Sequence, residues 1–130
     1  MNLDSLNDIA SYIVSDGKGI LAADESNPTC TKRFDSIGVE STEVNRRDYR
    51  ELLFRSAGMK GNIGGVILFD ETIRQKAADG SQLVEVIAAQ GALPGIKVDK
   101  GLKQIGDSAE SLTQGLDGLD ERLKEYFQMG

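Results

Sequence analysis

The chain has 130 residues, 39% of them hydrophobic, which suits one core in one domain without a metal or disulfide staple. Its formal charge is −6 and its basic residues are scattered among acids, so it lacks the electrostatic footprint of a nucleic-acid binder. One cysteine, Cys30, excludes an internal disulfide, and the absence of histidine excludes imidazole zinc sites and Ser-His nucleophile pairs. Chemistry must rest on Asp, Glu, Lys, Ser, Thr and Tyr. No run approaches the length of a membrane span, and the start Asn2-Leu3-Asp4 resembles neither a signal peptide nor an Arg-rich transit peptide. No membrane partner and a cytoplasmic location are expected.

Leu3, Leu6, Ile9, Ala10 and Ile13 recur at three and four, as an amphipathic helix requires, and Gly17 ends that helix. A strand is predicted over Ile20 to Ala23, apolar until it meets Asp24, Glu25 and Ser26. Asn27-Pro28-Thr29 reads as a turn into a short helix through Thr31 to Phe34, with Gly38 as its stop. Thr42 is the predicted N-cap of the next helix, with Val44, Tyr49, Leu52 and Leu53 as its buried stripe and an end near Gly58.

The second strand is predicted over Gly65 to Phe69, running into Asp70 and Glu71, and the polar stretch from there to Gly80 reads as an elaborated loop. Ser81 opens a helix whose apolar face is Leu83, Val84, Ile87 and Ala88, and Gly91 stops it. The third strand spans Gly95 to Val98. A loop over Gly101 to Ser111 leads to a last helix with Leu112, Leu116, Leu119, Leu123 and Tyr126 on one stripe and Gly130 at its C′ position. A helix followed by three strand-to-helix units is an α/β order with a parallel sheet. Three such strands leave two unpaired sheet edges, so the architecture reads as unfinished.

Period-two alternation puts Lys97 and Asp99 on one face of the third strand and Ile96 and Val98 on the other. A lysine and a carboxylate in a buried strand are costly unless they meet each other or a ligand. The same alternation groups Asp24 with Ile20 and the small Ala22, which leaves room above it for a substrate or a long side chain. Lys97, Asp99 and Asp24 therefore read either as a satisfied ion-pair cluster or as a site at the carboxyl edge of the sheet. Ser26 and Thr29 either cap the helix that follows or, with Lys32 and Arg33 one turn on, bind an anion such as phosphate. Lys32 and Arg33 also read as solvated helix charges, and Cys30 as a packing residue.

At these residues the sequence resembles the class I fructose-1,6-bisphosphate aldolases, the metal-independent kind that works through a lysine imine. The matching blocks are Gly17 to Ser26, Asn45-Arg46-Arg47 with Tyr49-Arg50, and Gly64 to Phe69. They continue in order through Gln75-Lys76-Ala77, Asp79-Gly80, Gly95 to Gly101 and Gln114 to Leu119. The resemblance implies that the chain is the first three βα units of a (β/α)8 TIM barrel with a leading N-terminal helix, residues 1–130 being part of a single domain. It further implies a sugar-phosphate substrate, no cofactor and a homo-oligomeric parent enzyme. By similarity, Asp24 sits beside the imine and orients substrate hydroxyls, Lys97 contacts substrate hydroxyl and phosphate oxygens, and Asp99 holds the lysine network. Ser26, Thr29, Lys32 and Arg33 fall where the family binds the phosphate distant from the imine. Asn27-Pro28-Thr29 departs from the Thr-Gly-Ser turn of many animal relatives. The imine-forming lysine, the acid–base glutamates and the second phosphate clamp belong to later strands, so this length of chain is expected to be inactive alone. The alternative from another class is a stand-alone phosphate-binding α/β module.

Overall fold

The computed structural model describes residue 3 and residues 5–130. The acidic start at Asn2 and Asp4 lies outside the described residues. In chain order the elements are α1 (Leu6–Ile13), β1 (Gly19–Ala23), α2 (Asn27–Asp35), α3 (Glu43–Phe54), β2 (Ile63–Leu68), α4 (Asp70–Arg74), α5 (Leu83–Ala89) and β3 (Leu93–Ile96). A hairpin, β4 (Leu102–Gln104) with β5 (Ser111–Thr113), and α6 (Leu119–Gln128) complete it. The first three strands form one parallel sheet in the order β1-β2-β3.

Register fixes what reaches the carboxyl edge. Ala23 pairs with Leu68 and Leu68 with Ile96, so Asp24, Phe69 and Lys97 are the next residues along three aligned strands. Leu21, Ala23, Val66, Leu68 and Ile96 belong to the core that packs against Phe54, Leu83 and Ile87 of the helices. Ile20, Ile67 and Gly95 line the opposite face, where an apolar hollow of about 340 Å³ lies under Ile9 and Ile13 of α1. Alternation therefore sends Asp24 and Lys97 to that second face, as the sequence implies.

Local chemistry explains the element starts. Ser5 accepts a hydrogen bond from the Asp8 N–H at the head of α1, and Thr42 accepts one from the Asn45 N–H at the head of α3. At α5 the cap is Gln82, one residue after the predicted Ser81, with the Glu85 side chain reaching back to the Gln82 N–H. Between β1 and β2 the register slips by one residue, so that Gly19 faces Ile63 and Ile20 faces Gly65. The skipped residue, Gly64, lies so close to α1 that a Cβ there would overlap the Ile13 carbonyl.

Beside the cap at Gln82, Asn27-Pro28-Thr29 is not a turn before α2 but its first turn, with Ser26 as the N-cap, and five further expectations need correction. The stripe of α1 is narrower than its periodicity implies: Leu6 and Ala10 are exposed, while Ile9 and Ile13, with Leu3 ahead of the helix, line the hollow against the sheet. On α3, Val44 and Leu52 are exposed, while Arg50 and Phe54 are buried, because the helix covers charged partners at its N-terminal end and core at its C-terminal end. The stretch after Asp70 contains α4, started where the Phe69 carbonyl accepts from Thr72 and Ile73, followed by an antiparallel bridge between Lys76 and Gln82. Residues 101–111 hold a strand of the β4–β5 hairpin, which draws Leu112 out of the last helix; Leu116 precedes that helix and is exposed. Finally, β3 ends at Ile96, two residues early, because its neighbour β2 ends at Leu68 and offers one last carbonyl, to the Lys97 N–H.

Candidate functional site

The carboxyl edge of the sheet carries two kinds of charged group, and their partners separate them. On the outer side, α3 presents Arg46 and Arg50 one turn apart to carboxylates at the strand ends. Arg50, 2% exposed, places Nη1 2.7 Å from Glu25 Oε2 and donates from Nη2 to the Glu25 carbonyl at 2.8 Å. Arg33 and Tyr49 also hydrogen-bond the Glu25 carboxylate. Burial pushes the Glu25 carboxyl up, but a backbone hydrogen bond, Arg50 and Arg33 together outweigh it and hold it below the ordinary range. Arg46 grips Glu71 with two bonds, Nε to Oε2 at 2.8 Å and Nη2 to Oε1 at 2.6 Å, and Asn27 adds a third contact at 3.3 Å. Hydrogen bonding to Arg46 is the main reason the Glu71 carboxyl lies low.

The second group surrounds a hollow of about 580 Å³ whose lining includes Ser26, Lys97, Asp99, Lys100 and Arg122. Lys97 and Asp99 form an ion pair with half-buried side chains. The Lys97 hydrogen bond, with help from the Gly101 N–H at 3.0 Å, holds the Asp99 carboxyl below its usual range. Ser26 is the N-cap of α2, yet its hydroxyl makes no capping bond and instead lies 3.2 Å from the Thr29 hydroxyl. It keeps acceptor and donor capacity for a ligand at a helix N-terminus.

The structure thus brings three of the seven expected site residues, Ser26, Lys97 and Asp99, to one hollow. Asp24 is half-buried two strands from Lys97, roughly 9–10 Å away at strand spacing. Among the described residues its carboxylate takes no part in the ion pairs that occupy Glu25 and Glu71. Thr29 touches Ser26, Lys32 is exposed, and the half-exposed Arg33 is engaged by Glu25 and Tyr49; none of these three lines the hollow.

The bonds that α6 makes at this edge are not implied by the sequence pattern. Arg122 of α6 donates to the Val98 carbonyl at 3.0 Å and to the Gly115 carbonyl at 2.5 Å, and Tyr126 donates to Asp70 at 2.9 Å. Asp70 is held low chiefly by its hydrogen bond to Arg74, and the Tyr126 hydroxyl is pushed up by burial and by Asp70. The i, i+4 spacing of Arg46, Arg50 and Phe54 was the signal available for the outer layer, a charged stripe continuous with an apolar one.

The apolar hollow under α1 has no polar side chain in its lining and can do no chemistry, so the carboxyl-edge hollow is the candidate site. Lys97, Asp99 and the Ser26 hydroxyl, beside a helix N-terminus and with Lys100 and Arg122 in the same lining, suit a polyhydroxylated, phosphorylated ligand. No helix among the described residues is long and apolar enough to cross a membrane.

A family model described as glycolytic fructose-bisphosphate aldolase class-I matches residues 5–130. Among curated relatives, a probable fructose-bisphosphate aldolase class 1 of Xanthomonas axonopodis pv. citri (strain 306) is 50% identical over 131 residues, 100% of this chain and 39% of the relative. Fructose-bisphosphate aldolase 1 of Toxoplasma gondii is 54% identical over 122 residues, 93% of this chain and 34% of the relative. A solved structure of fructose-bisphosphate aldolase from Plasmodium falciparum, in complex with TRAP and a small-molecule inhibitor, superposes with a TM-score of 0.90 at 51% identity. It covers 94% of this chain and 35% of that one. The chain spans between a third and two fifths of the length of these relatives. Its sheet and helices are the first three βα units of a TIM barrel, with α1 leading them. The chain belongs to the class-I fructose-bisphosphate aldolase family.

Proposed function

We propose that this chain is the N-terminal portion of a fructose-bisphosphate aldolase, a lyase that reversibly cleaves fructose 1,6-bisphosphate to dihydroxyacetone phosphate and glyceraldehyde 3-phosphate through a lysine imine. The observation that carries the reading is the row at the carboxyl edge, where register aligns Asp24 with Lys97 and the hollow joins Lys97 and Asp99 to Ser26. Asp24, whose carboxylate no arginine holds among the described residues, orients substrate hydroxyls beside the imine. Lys97 donates to substrate hydroxyl and phosphate oxygens, and Asp99 fixes its ammonium. The Ser26 and Thr29 hydroxyls, at the N-terminus of α2, bind the phosphate distant from the imine, with Lys32 and Arg33 supplying positive charge one turn on.

The imine-forming lysine and the acid–base glutamates lie on later strands of the barrel, so residues 1–130 supply part of a site and no turnover by themselves. The working enzyme is a cytoplasmic homo-oligomer, in keeping with cytosolic relatives in Arabidopsis thaliana. The test joins this chain to the remaining βα units of the Xanthomonas relative. The joined protein is expected to cleave fructose 1,6-bisphosphate and to be trapped by borohydride at a lysine beyond Gly130. An inactive but folded joined protein, a borohydride tag on Lys97, or turnover by the 130-residue chain alone would overturn the reading.

A further inference from the structure

Lys97 and Asp99 stand outside regular structure, since β3 ends at Ile96, and something else must set their positions. The Lys97 N–H is fixed by the Leu68 carbonyl and the Asp99 carboxylate by the Gly101 N–H, but the peptide between them has its carbonyl, that of Val98, turned to α6. Arg122 takes that carbonyl with Nη1 and the Gly115 carbonyl with Nη2, so one guanidinium ties the segment after β3 to the chain returning from the β4–β5 hairpin. The same junction is closed by the Lys100 N–H to the Gln114 carbonyl and the Gln114 N–H to the Gly101 carbonyl, at 2.8 and 2.9 Å. Gly115 packs so tightly here that a Cβ would come within 2.8 Å of the Val98 oxygen, and its φ of 141° is itself unfavourable for any other residue.

Helix α6 is in turn anchored at the end of β2. Tyr126 is buried and donates to Asp70, and Arg74 bridges Asp70 to Glu125. Arg122 therefore transmits a fixed helix position to the two residues that face the ligand. A lysine in its place would offer a point charge and no planar fork for two carbonyls.

We propose that Arg122 is a positioning residue for the Lys97–Asp99 pair, its guanidinium clamping the Val98 and Gly115 carbonyls so that the Lys97 ammonium meets a sugar phosphate in productive geometry. The proposal rests on the reading of the site as an aldolase site. The test uses the joined enzyme with R122K, R122M, K97M and the double variant R122M/K97M. Displacement of a binding group by about 1 Å costs on the order of 100-fold, so R122M should lower kcat/KM for fructose 1,6-bisphosphate by about that factor. R122K should rescue little of it, and in the K97M background the further loss should shrink to less than about threefold. Additive losses, or a loss that follows the melting temperature alone across the variants, would overturn the proposal. Amide exchange at Lys100 and Gly101 reads the same clamp without turnover: it should speed up at least about tenfold in R122M with β2 unaffected, and unchanged exchange there would also overturn it. An inactive wild-type joined enzyme would count against the aldolase reading only, and the exchange measurement would still decide the role of Arg122.

Discussion

Replacing Arg50 by Met keeps the length and packing of the stem and removes the charge that faces Glu25. Arg50 is 2% exposed, and it engages Glu25 twice, through the carboxylate at 2.7 Å and the carbonyl at 2.8 Å. Breaking a buried ion pair by deleting one partner costs about 3–5 kcal/mol, because the other charge is left uncompensated. Here Glu25 keeps Arg33 and Tyr49, so the lower end applies, about 3 kcal/mol, or roughly 10 °C in melting temperature for a chain of this size. The pH dependence has a definite sign. Wild-type Glu25 titrates below its ordinary value of 4.5, so the stability its ionisation supplies is complete above that value and is lost as pH falls through the lower folded one. In R50M the burial that pushes this carboxyl up loses its main Coulombic opponent, and protonation relieves the variant as the pH drops. Urea unfolding followed by tyrosine fluorescence, with Tyr49 beneath the Arg50 guanidinium as a reporter, should show the full deficit at pH 7 and a smaller one at pH 4. An equal deficit at both pH values would refute the assignment of the cost to an uncompensated buried charge.

Gly64→Ala should release α1 from the sheet, because moving a helix that half-buries Ile9, Tyr12 and Ile13 and makes one hydrogen bond through Tyr12 to the Gly91 carbonyl costs less, at most about 4 kcal/mol, than compressing backbone against the Ile13 carbonyl. Tryptic cleavage after Lys18 should accelerate several-fold, and unchanged cleavage would show that the strand shifts instead. Asp24→Asn in the joined enzyme should leave the melting temperature within about 1 °C, since among the described residues no arginine pairs with that carboxylate, and lower kcat by at least about 100-fold.

How much of this was legible in the sequence depended on whether the signal was local. Thr42 as a cap, Gly91 as a stop and the three apolar strands are local chemistry, and the structure has them within two residues. The candidate charges at the strand ends stood out because charge at the end of an apolar strand is rare in a plain core. The β4–β5 hairpin was not, since its strands are three residues long and exposed throughout, with no buried face to impose alternation. Arg50 and Arg122 stayed hidden for another reason. Each neutralises backbone carbonyls or a carboxylate far along the chain, and an arginine on a helix looks solvated until its distant partner is placed.

The division between the two groups of charge follows from the same geometry. Glu25, Glu71 and Asp70 sit two or three residues past a strand, where the chain turns outward and meets arginines of α3 and α4; each is held low with those partners' help and has little capacity left for a ligand. Asp24 and Lys97 are the first residues past their strands and keep the inward parity of Ile20 and Gly95. On the proposed reading, one residue along the chain thus decides whether a carboxylate holds the scaffold or is left for the substrate. Asp24 and Glu25, adjacent in sequence, have opposite fates for that reason. The Asp24→Asn and Arg50→Met experiments are expected to separate them, the first lowering turnover at constant stability and the second lowering stability through Glu25, which the proposed site does not use.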